Sequence, residues 1–161
     1  VPQHVCEVTY DLLQRKALRM DKTANDDMVL TYHDSCNVAR ASRMGDFEGG
    51  QFVIPREVIK ASCNRYYDMP ADTTREATFC CGGGGGLLTD DLVELRVKGS
   101  LPRMEALKQV VDAHGVTHMA AICAICKSQF SKILPYYGMQ MDQVVSVHQL
   151  VSNAIQLGGE H

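Results

Sequence analysis

Short apolar runs alternate along the chain with segments that carry helix signals. Four of these runs predict strands, at residues 28–32, 78–80, 119–122 and 143–147. Helices are predicted between and after them, at about residues 54–63, 90–97, 102–114, 123–134 and 148–157. Strands that alternate with helices indicate a parallel sheet wrapped by helices. The predicted fold class is therefore α/β, a parallel sheet flanked by helices.

The ends of several predicted helices have specific signals. Thr89 is a favourable N-cap residue, and two aspartates follow it in the first turn. Gly115 is suited to end the helix that precedes it, and Pro55 is tolerated in a first turn. Residues 45–50 are rich in glycine and predict a loop.

The first residues differ in character from the rest. Residues 1–27 form a polar lead-in, with loosely helix-spaced apolar positions, that we expect to come from an upstream domain. Residues 28–161 form the domain that carries the cysteine motifs. Position 1 is Val rather than Met, and the segment has an interior character, so we expect the chain to be a piece of a longer protein.

Composition narrows the classes of function. Hydrophobic residues make up 45% of the chain and charged residues 22%, which is typical of a globular domain. The net charge is −3 and the basic residues are scattered, so no nucleic-acid partner is expected. No apolar run approaches the roughly 20 residues that span a bilayer, and no signal peptide is recognised. Any membrane contact is therefore expected through a partner, from the cytoplasm.

Five of the seven cysteines fall in tight motifs: Cys36, Cys80, Cys81, Cys123 and Cys126. Three of the four predicted strands end at these motifs, and sites in open parallel sheets form at the carboxyl ends of strands. We therefore expect the five sulfurs to converge on one iron–sulfur cluster, which thiolates hold. The alternatives are burial as small hydrophobic residues, which we favour for Cys6 and Cys63, and structural zinc, whose tetrahedral site needs only four ligands.

Five consecutive glycines follow the cysteine pair: Gly82, Gly83, Gly84, Gly85 and Gly86. Each ordered glycine costs roughly 0.5–1 kcal/mol relative to alanine, so the run needs a structural reason. Positive φ angles and N–H groups directed at anionic sulfur provide one, and the run is assigned to cluster binding. A phosphate loop is the rival, but it requires a lysine that Gly86-Leu87-Leu88 lacks; a flexible linker is the third reading.

Three strings together resemble the cysteine-rich CCG domain of heterodisulfide-reductase catalytic subunits: His33-Asp-Ser-Cys36, Cys80-Cys81-Gly82 and Cys123-Ala-Ile-Cys126. The resemblance covers about residues 28–157. Within that family, residues 33–40 and 79–90 are most similar to the K subunit of the membrane complex of dissimilatory sulfite reduction.

The resemblance implies an oxidoreductase subunit with a noncubane [4Fe–4S] cluster bound by all five cysteines. It implies reductive cleavage of a disulfide or trisulfide at the cluster. For the K subunit, the substrate would be a sulfur-carrier protein that bears this disulfide or trisulfide. Electrons would arrive through cubane clusters in an upstream domain. The partners would be other subunits of a membrane-bound redox complex, and the chain would be attached peripherally to the cytoplasmic side of the inner membrane.

Cleavage of a disulfide consumes two electrons and two protons, so proton donors are expected near the cysteine turns. His33 and Lys127 are the candidates, as catalytic residues; the alternatives are a structural hydrogen bond for His33 and an exposed helix position for Lys127. Two other functions stay open. One is an electron-transfer module whose cluster never contacts substrate, and the other is a zinc-stabilised interaction domain.

Overall fold

The computed structural model describes residues 3–42 and 50–156. The helices are α1 (Val5–Gln14), α2 (Gly50–Ser62), α3 (Val93–His114), α4 (Ala124–Ile133) and α5 (Val147–Ala154). The strands are β1 (Leu30–His33), β2 (His118–Ala121) and β3 (Val144–Ser146). Within the described residues the strands form one parallel sheet of order β1-β2-β3. The predicted α/β class, a parallel sheet flanked by helices, is confirmed.

The sheet separates two hydrophobic clusters, because successive side chains of a strand point to opposite faces. Met119 and Ala121 of β2 belong to the first cluster, with residues of α3 and α4 and with the buried motif cysteines. Ala120 belongs to the second cluster, with residues of α1, α2 and α5 and with the buried Cys6 and Cys63. The two cysteines outside the motifs thus pack as small hydrophobic residues on the opposite face of the sheet from the site.

The second predicted strand, residues 78–80, is wrong. The segment pairs with no strand in the described structure and instead follows a short 3₁₀ turn, Arg75–Ala77. Its Thr78 hydroxyl donates to the carbonyl oxygen of Asp34 at 2.8 Å, and its Thr78 N–H donates to the carbonyl oxygen of Arg75. The first bond attaches the segment to the end of β1 without adding it to the sheet, and the second closes the 3₁₀ turn.

The predicted helix break at residues 98–101 is also wrong. Helix α3 continues through Gly99 and Pro102 to His114, and Gly115 ends it with a φ of +66°, as predicted. Proline removes a single backbone N–H, a loss that tertiary packing of the helix outweighs here. Thr89 occupies the predicted N-cap position, ahead of a short 3₁₀ turn (Asp90–Leu92), but its side chain makes no capping hydrogen bond.

Smaller differences concern the first half of the chain. Helix α2 begins at Gly50, so Pro55 lies beyond its first turn. Residues 45–49 of the predicted loop lie outside the described residues, and residues 36–40 form a turn. The lead-in includes α1, which packs on α2. None of the described helices is long and apolar enough to cross a membrane.

Candidate metal centre

Three buried side chains meet beyond the carboxyl ends of β1 and β2. One ligand atom each from His33, Cys81 and Cys126 lies within 4.8 Å of the other two. His33 ends β1, Cys126 lies in the first turn of α4 directly after β2, and Cys81 comes from the segment attached to Asp34. It is the one such group of potential metal ligands in residues 3–42 and 50–156.

Four motif thiols are in continuous side-chain contact. Cys80 is hydrogen-bonded to Cys81, Cys81 to Cys126, and Cys126 to Cys123. All four are free thiols. The shared hydrogen bond from Cys81 is the main reason that the pKa of Cys80 is raised, and the bond with Cys126 is the main reason that the pKa of Cys81 rises to about 12. The four thiols therefore lie close together, and thiolates in the same positions would repel one another unless a cation lay among them.

Cys36 is the least connected of the five. It is half-buried and begins the turn of residues 36–40, outside the group of three mutually close ligand atoms. The preceding residue, Ser35, is buried, and its hydroxyl lies close enough to the Cys123 sulfur to lower the pKa of that thiol, although it makes no hydrogen bond of full geometry. The Cys36 turn therefore borders the site, and the set of five ligands stays a prediction.

Backbone N–H groups of the glycine run point at the cysteine sulfurs. The N–H of Gly82 lies 3.3 Å from Cys80 Sγ, and those of Gly84 and Gly83 bond to Cys80 and Cys81 respectively. Four of the five glycines have positive φ angles: Gly82, Gly84, Gly85 and Gly86. This loop has the backbone form of an anion-binding nest, as the glycine content predicts.

Gly82 also sits directly against α3. A Cβ atom built on it would lie 2.5 Å from the carbonyl oxygen of Arg96 and 2.9 Å from the backbone nitrogen of Ser100. Such distances leave no room for any side chain. Glycine is therefore required at this position both by its φ of +85° and by the close approach of helix and loop.

The His33 imidazole is buried without a hydrogen bond. Neither ring nitrogen has a partner among the described residues, and the ring packs edge-on to Phe130 at a centroid distance of 4.9 Å. Burial, and secondarily the charge of Arg103, hold the pKa of His33 well below its ordinary value. The structural hydrogen bond considered as an alternative is thus not observed, and a neutral ring nitrogen is available to a group placed between the cysteines.

Lys127 lies at the border of the site rather than within it. Its N–H donates to the carbonyl oxygen of Cys123 at 3.0 Å, and its side chain is half-buried, with no ion pair to any described residue. The catalytic roles of His33 and Lys127 stay predictions.

Sequence reasoning missed the polar residues that surround the site. Arg56, Arg96 and Arg103 are all buried, and the first of them pairs with the buried Asp34. The spacing of seven between Arg96 and Arg103 could have suggested a shared helix face. The erroneous break between two helices concealed that relation.

Comparison with known proteins identifies relatives of this segment. The chain is 40% identical over 152 residues to the Hdr-like menaquinol oxidoreductase iron-sulfur subunit 2 of Archaeoglobus fulgidus, covering 94% of this chain and 26% of that protein. It is 42% identical over 154 residues to the Hdr-like menaquinol oxidoreductase iron-sulfur subunit of Archaeoglobus profundus, covering 96% and 26%. The chain thus spans about a quarter of the length of these relatives. No family model and no solved structure matches it.

Proposed function

We propose that this chain is the iron–sulfur domain of an Hdr-like oxidoreductase, which takes electrons from other clusters and cleaves a disulfide or trisulfide at a noncubane [4Fe–4S] cluster. One observation carries the proposal: four motif cysteines in contact, beside a buried His33 without a hydrogen-bond partner, at the carboxyl edge of the sheet. The cluster would supply an iron site that accepts a substrate sulfur. Cys36, Cys80, Cys81, Cys123 and Cys126 would hold it.

The donor set suits an iron–sulfur cluster. Soft thiolates are the usual ligands of such clusters, and hydrogen bonds to sulfur tune them. N–H groups of the 82–86 loop donate hydrogen bonds to the sulfurs of Cys80 and Cys81. The same N–H groups would stabilise the negative charge of these sulfurs when they bind a cluster. Zinc needs four ligands and gains nothing from a fifth cysteine or from this loop. The names of the two relatives also favour an iron–sulfur cofactor.

Access favours substrate cleavage over simple electron transfer. Cys81 and Cys126 are buried, whereas Cys36, Cys80 and Cys123 are half-buried and reach the surface. A substrate sulfur could therefore approach from that side while the buried side faces the core. Cleavage would balance as one disulfide, two electrons from upstream clusters and two protons giving two thiols. We assign proton transfer to His33, whose neutral ring would pass a proton on rather than store it, and to Lys127, which borders the site.

The partners follow from the relatives' names and from the resemblance. Both relatives are named as subunits of menaquinol oxidoreductases, which supports a place among other subunits of a membrane-bound redox complex. We place the chain at the cytoplasmic face of the inner membrane, held there by those subunits. A sulfur-carrier protein with a disulfide or trisulfide is the proposed substrate, and membership in the K-subunit group of sulfite reduction stays part of the proposal.

The test uses the full-length protein, purified anaerobically. We expect iron and acid-labile sulfide, a visible absorption spectrum, and an EPR signal that changes on addition of thiol or of a disulfide-bearing carrier. Serine at any one of the five motif cysteines should reduce the iron content or alter the EPR signal, whereas Cys63→Ser, in the opposite hydrophobic cluster, should leave both unchanged. A colourless protein that contains zinc overturns the proposal. A cluster indifferent to thiols, disulfides and carrier identifies an electron-transfer module instead.

A further inference from the structure

One face of α3 carries two buried arginines toward the cysteines. Arg96, Ser100 and Arg103 are spaced by four and three residues, so they lie along a single stripe of the helix. The exposed fractions of the two arginines are 2% and 0%. The backbone of the stripe meets Gly82, so this face of α3 borders the loop that carries Cys80 and Cys81.

The two guanidinium groups flank that loop. Arg103 donates to Thr78 Oγ1 at 3.0 Å and lies 5.7 Å from the centroid of the Phe79 ring, directly before Cys80. Arg96 donates through Nε to Gln129 Oε1 at 2.8 Å, and Gln129 lies one turn after Cys126 in α4. The charge of Arg103 also contributes to the lowered pKa of His33, which has a ring nitrogen within 4.8 Å of the sulfurs of Cys81 and Cys126.

Neither arginine forms an ion pair with a described residue, because the carboxylates that act on Arg103 and Arg96, those of Asp34 and Asp90, do so only at longer range. Their remaining acceptors are neutral: Thr89 O for Arg96, and Met69 Sδ and Thr73 O for Arg103. One nitrogen of each guanidinium is left without a hydrogen-bond partner, Nη2 in Arg96 and Nε in Arg103. Arg56 is the contrast, since it forms ion pairs with Asp34 and Asp68.

Buried charge without a counter-ion is unfavourable, and proteins normally pair or neutralise it. Neutralisation is not available here, because a guanidinium keeps its proton at neutral pH. Burial lowers the pKa of Arg103 only to about 10. The described residues contain three buried arginines and one buried carboxylate, that of Asp34. Asp34 and Asp68 pair with Arg56, so the core around Arg96 and Arg103 keeps a surplus of positive charge that an anion bound among the cysteines would offset.

We propose that Arg96 and Arg103 are positioning residues whose buried charges are balanced by the anionic cluster and set its reduction potential. The inference rests on the proposed function, since it takes the cluster as the anion. Reduction adds negative charge to the site, and fixed positive charges nearby stabilise the reduced form more than the oxidised form. The two arginines therefore make the cluster easier to reduce, and they stabilise the folded chain only when the cluster is bound.

The experiment compares charge removal at three positions of α3 in the full-length, cluster-loaded protein. Arg96→Gln and Arg103→Gln remove a buried charge, Arg96→Lys and Arg103→Lys keep it, and Lys98→Gln removes an exposed charge from the same helix. The midpoint potential is measured by an anaerobic redox titration followed by EPR. Thermal unfolding is measured with and without the cluster.

We expect both Gln variants to shift the midpoint potential to more negative values and to reduce the increase in melting temperature that the cluster confers. The Lys variants should restore most of both properties, and Lys98→Gln should match the wild type. The two arginines are tested separately. If one Gln variant does not fold, the midpoint potential of the other Gln variant still tests the inference. Unchanged potentials in iron-loaded variants overturn the inference alone. Absence of iron from the wild type overturns the proposed function, and the inference with it.

Discussion

Asp34 accepts hydrogen bonds from Nη1 and Nη2 of Arg56, each at 2.7 Å, with both side chains buried. Asp34 Oδ2 also accepts the backbone N–H of Arg75, and its carbonyl oxygen accepts the Thr78 hydroxyl. The same residue thus joins the end of β1, helix α2 and the segment that leads to Cys80. This network aligns two of the three cysteine motifs, because Asp34 lies two residues before Cys36.

Removing the Asp34 charge should destabilise the protein strongly. Asp34→Asn leaves Arg56 with the more exposed Asp68 as its remaining anion, and breaking one side of a buried pair costs about 3–5 kcal/mol. The free energy of unfolding in urea, measured on the protein without cluster, tests this. Glu94→Gln is the matched control, since it breaks the exposed Lys98–Glu94 pair and should change nothing measurable. Equal effects of the two substitutions would contradict the assigned role.

A pH dependence is expected from Cys6 in the second hydrophobic cluster. Burial, helped by the charge of Glu7, raises the pKa of this thiol from 9.0 to about 12. Between these values the unfolded chain loses the thiol proton while the folded chain keeps it. Stability is therefore full below pH 9.0 and falls as the pH rises toward 12, by up to about 1.4 kcal/mol per pH unit.

Urea unfolding of Cys6→Ala at about pH 8 and about pH 10.5 checks this dependence. At the lower pH the variant should be less stable than the wild type, because it loses packing. Between the two pH values, however, its stability should fall less than that of the wild type. Val58→Ala truncates another side chain of the same cluster without removing a titrating group, so it should keep the wild-type pH dependence. If Cys6→Ala keeps the wild-type pH dependence as well, the Cys6 thiol is not its source and the prediction is wrong.

The sheet and the meeting of the motifs were predictable because both depend on local patterns. Apolar runs that end at cysteines are enough to place Cys123 and Cys126 at the carboxyl edge of a parallel sheet, and four motif cysteines do meet there. The positive φ angles of the glycine run were likewise predictable, because glycine is the residue that adopts such angles without strain.

What could not be predicted depends on tertiary contacts. Helix α3 passes through Gly99 and Pro102, which are helix breakers by intrinsic preference, because the continuous helix packs on the first hydrophobic cluster through residues on both sides of the proline. Arg103 has the sequence character of a surface residue, and its complete burial follows from acceptors up to 34 positions away along the chain. No local pattern contains that information.

The motif thiols should differ in reactivity when the cluster is removed. Burial opposes ionisation of Cys123, but the backbone N–H of Cys126 and the nearby Ser35 hydroxyl outweigh it and lower its pKa. The pKa of Cys80 is raised, mainly by its bond with Cys81. Both thiols are half-buried, so the thiolate fraction should decide the rate of alkylation.

We therefore expect iodoacetamide to modify Cys123 before Cys80 in the anaerobic, iron-free protein, as followed by peptide mass spectrometry over time. Ser35→Ala should slow the modification of Cys123 and leave Cys80 unaffected. Equal rates at the two cysteines would show that access, rather than acidity, governs the site.

The glycine loop offers the sharpest comparison between two substitutions of the same kind. Gly82 and Gly85 both have positive φ angles, +85° and +74°, so alanine is strained at either position. At Gly85 a Cβ atom meets nothing within 4 Å, whereas at Gly82 it would meet backbone atoms of Arg96 and Ser100 at 2.5 Å and 2.9 Å. Backbone cannot move aside as a flexible side chain can, so Gly82→Ala must push the loop away from α3.

That displacement would carry the N–H of residue 82 away from Cys80 Sγ and move Cys81 relative to Cys126. We expect Gly85→Ala to cost about 1–2 kcal/mol of stability, the usual penalty of a left-handed conformation, and to retain its iron. Gly82→Ala should fold with lower stability and lose most of its iron and its visible absorption. Circular dichroism, urea unfolding and iron analysis of the two purified variants provide the measurement. If Gly82→Ala binds iron as well as Gly85→Ala does, the contact between loop and helix does not hold the cysteines in place.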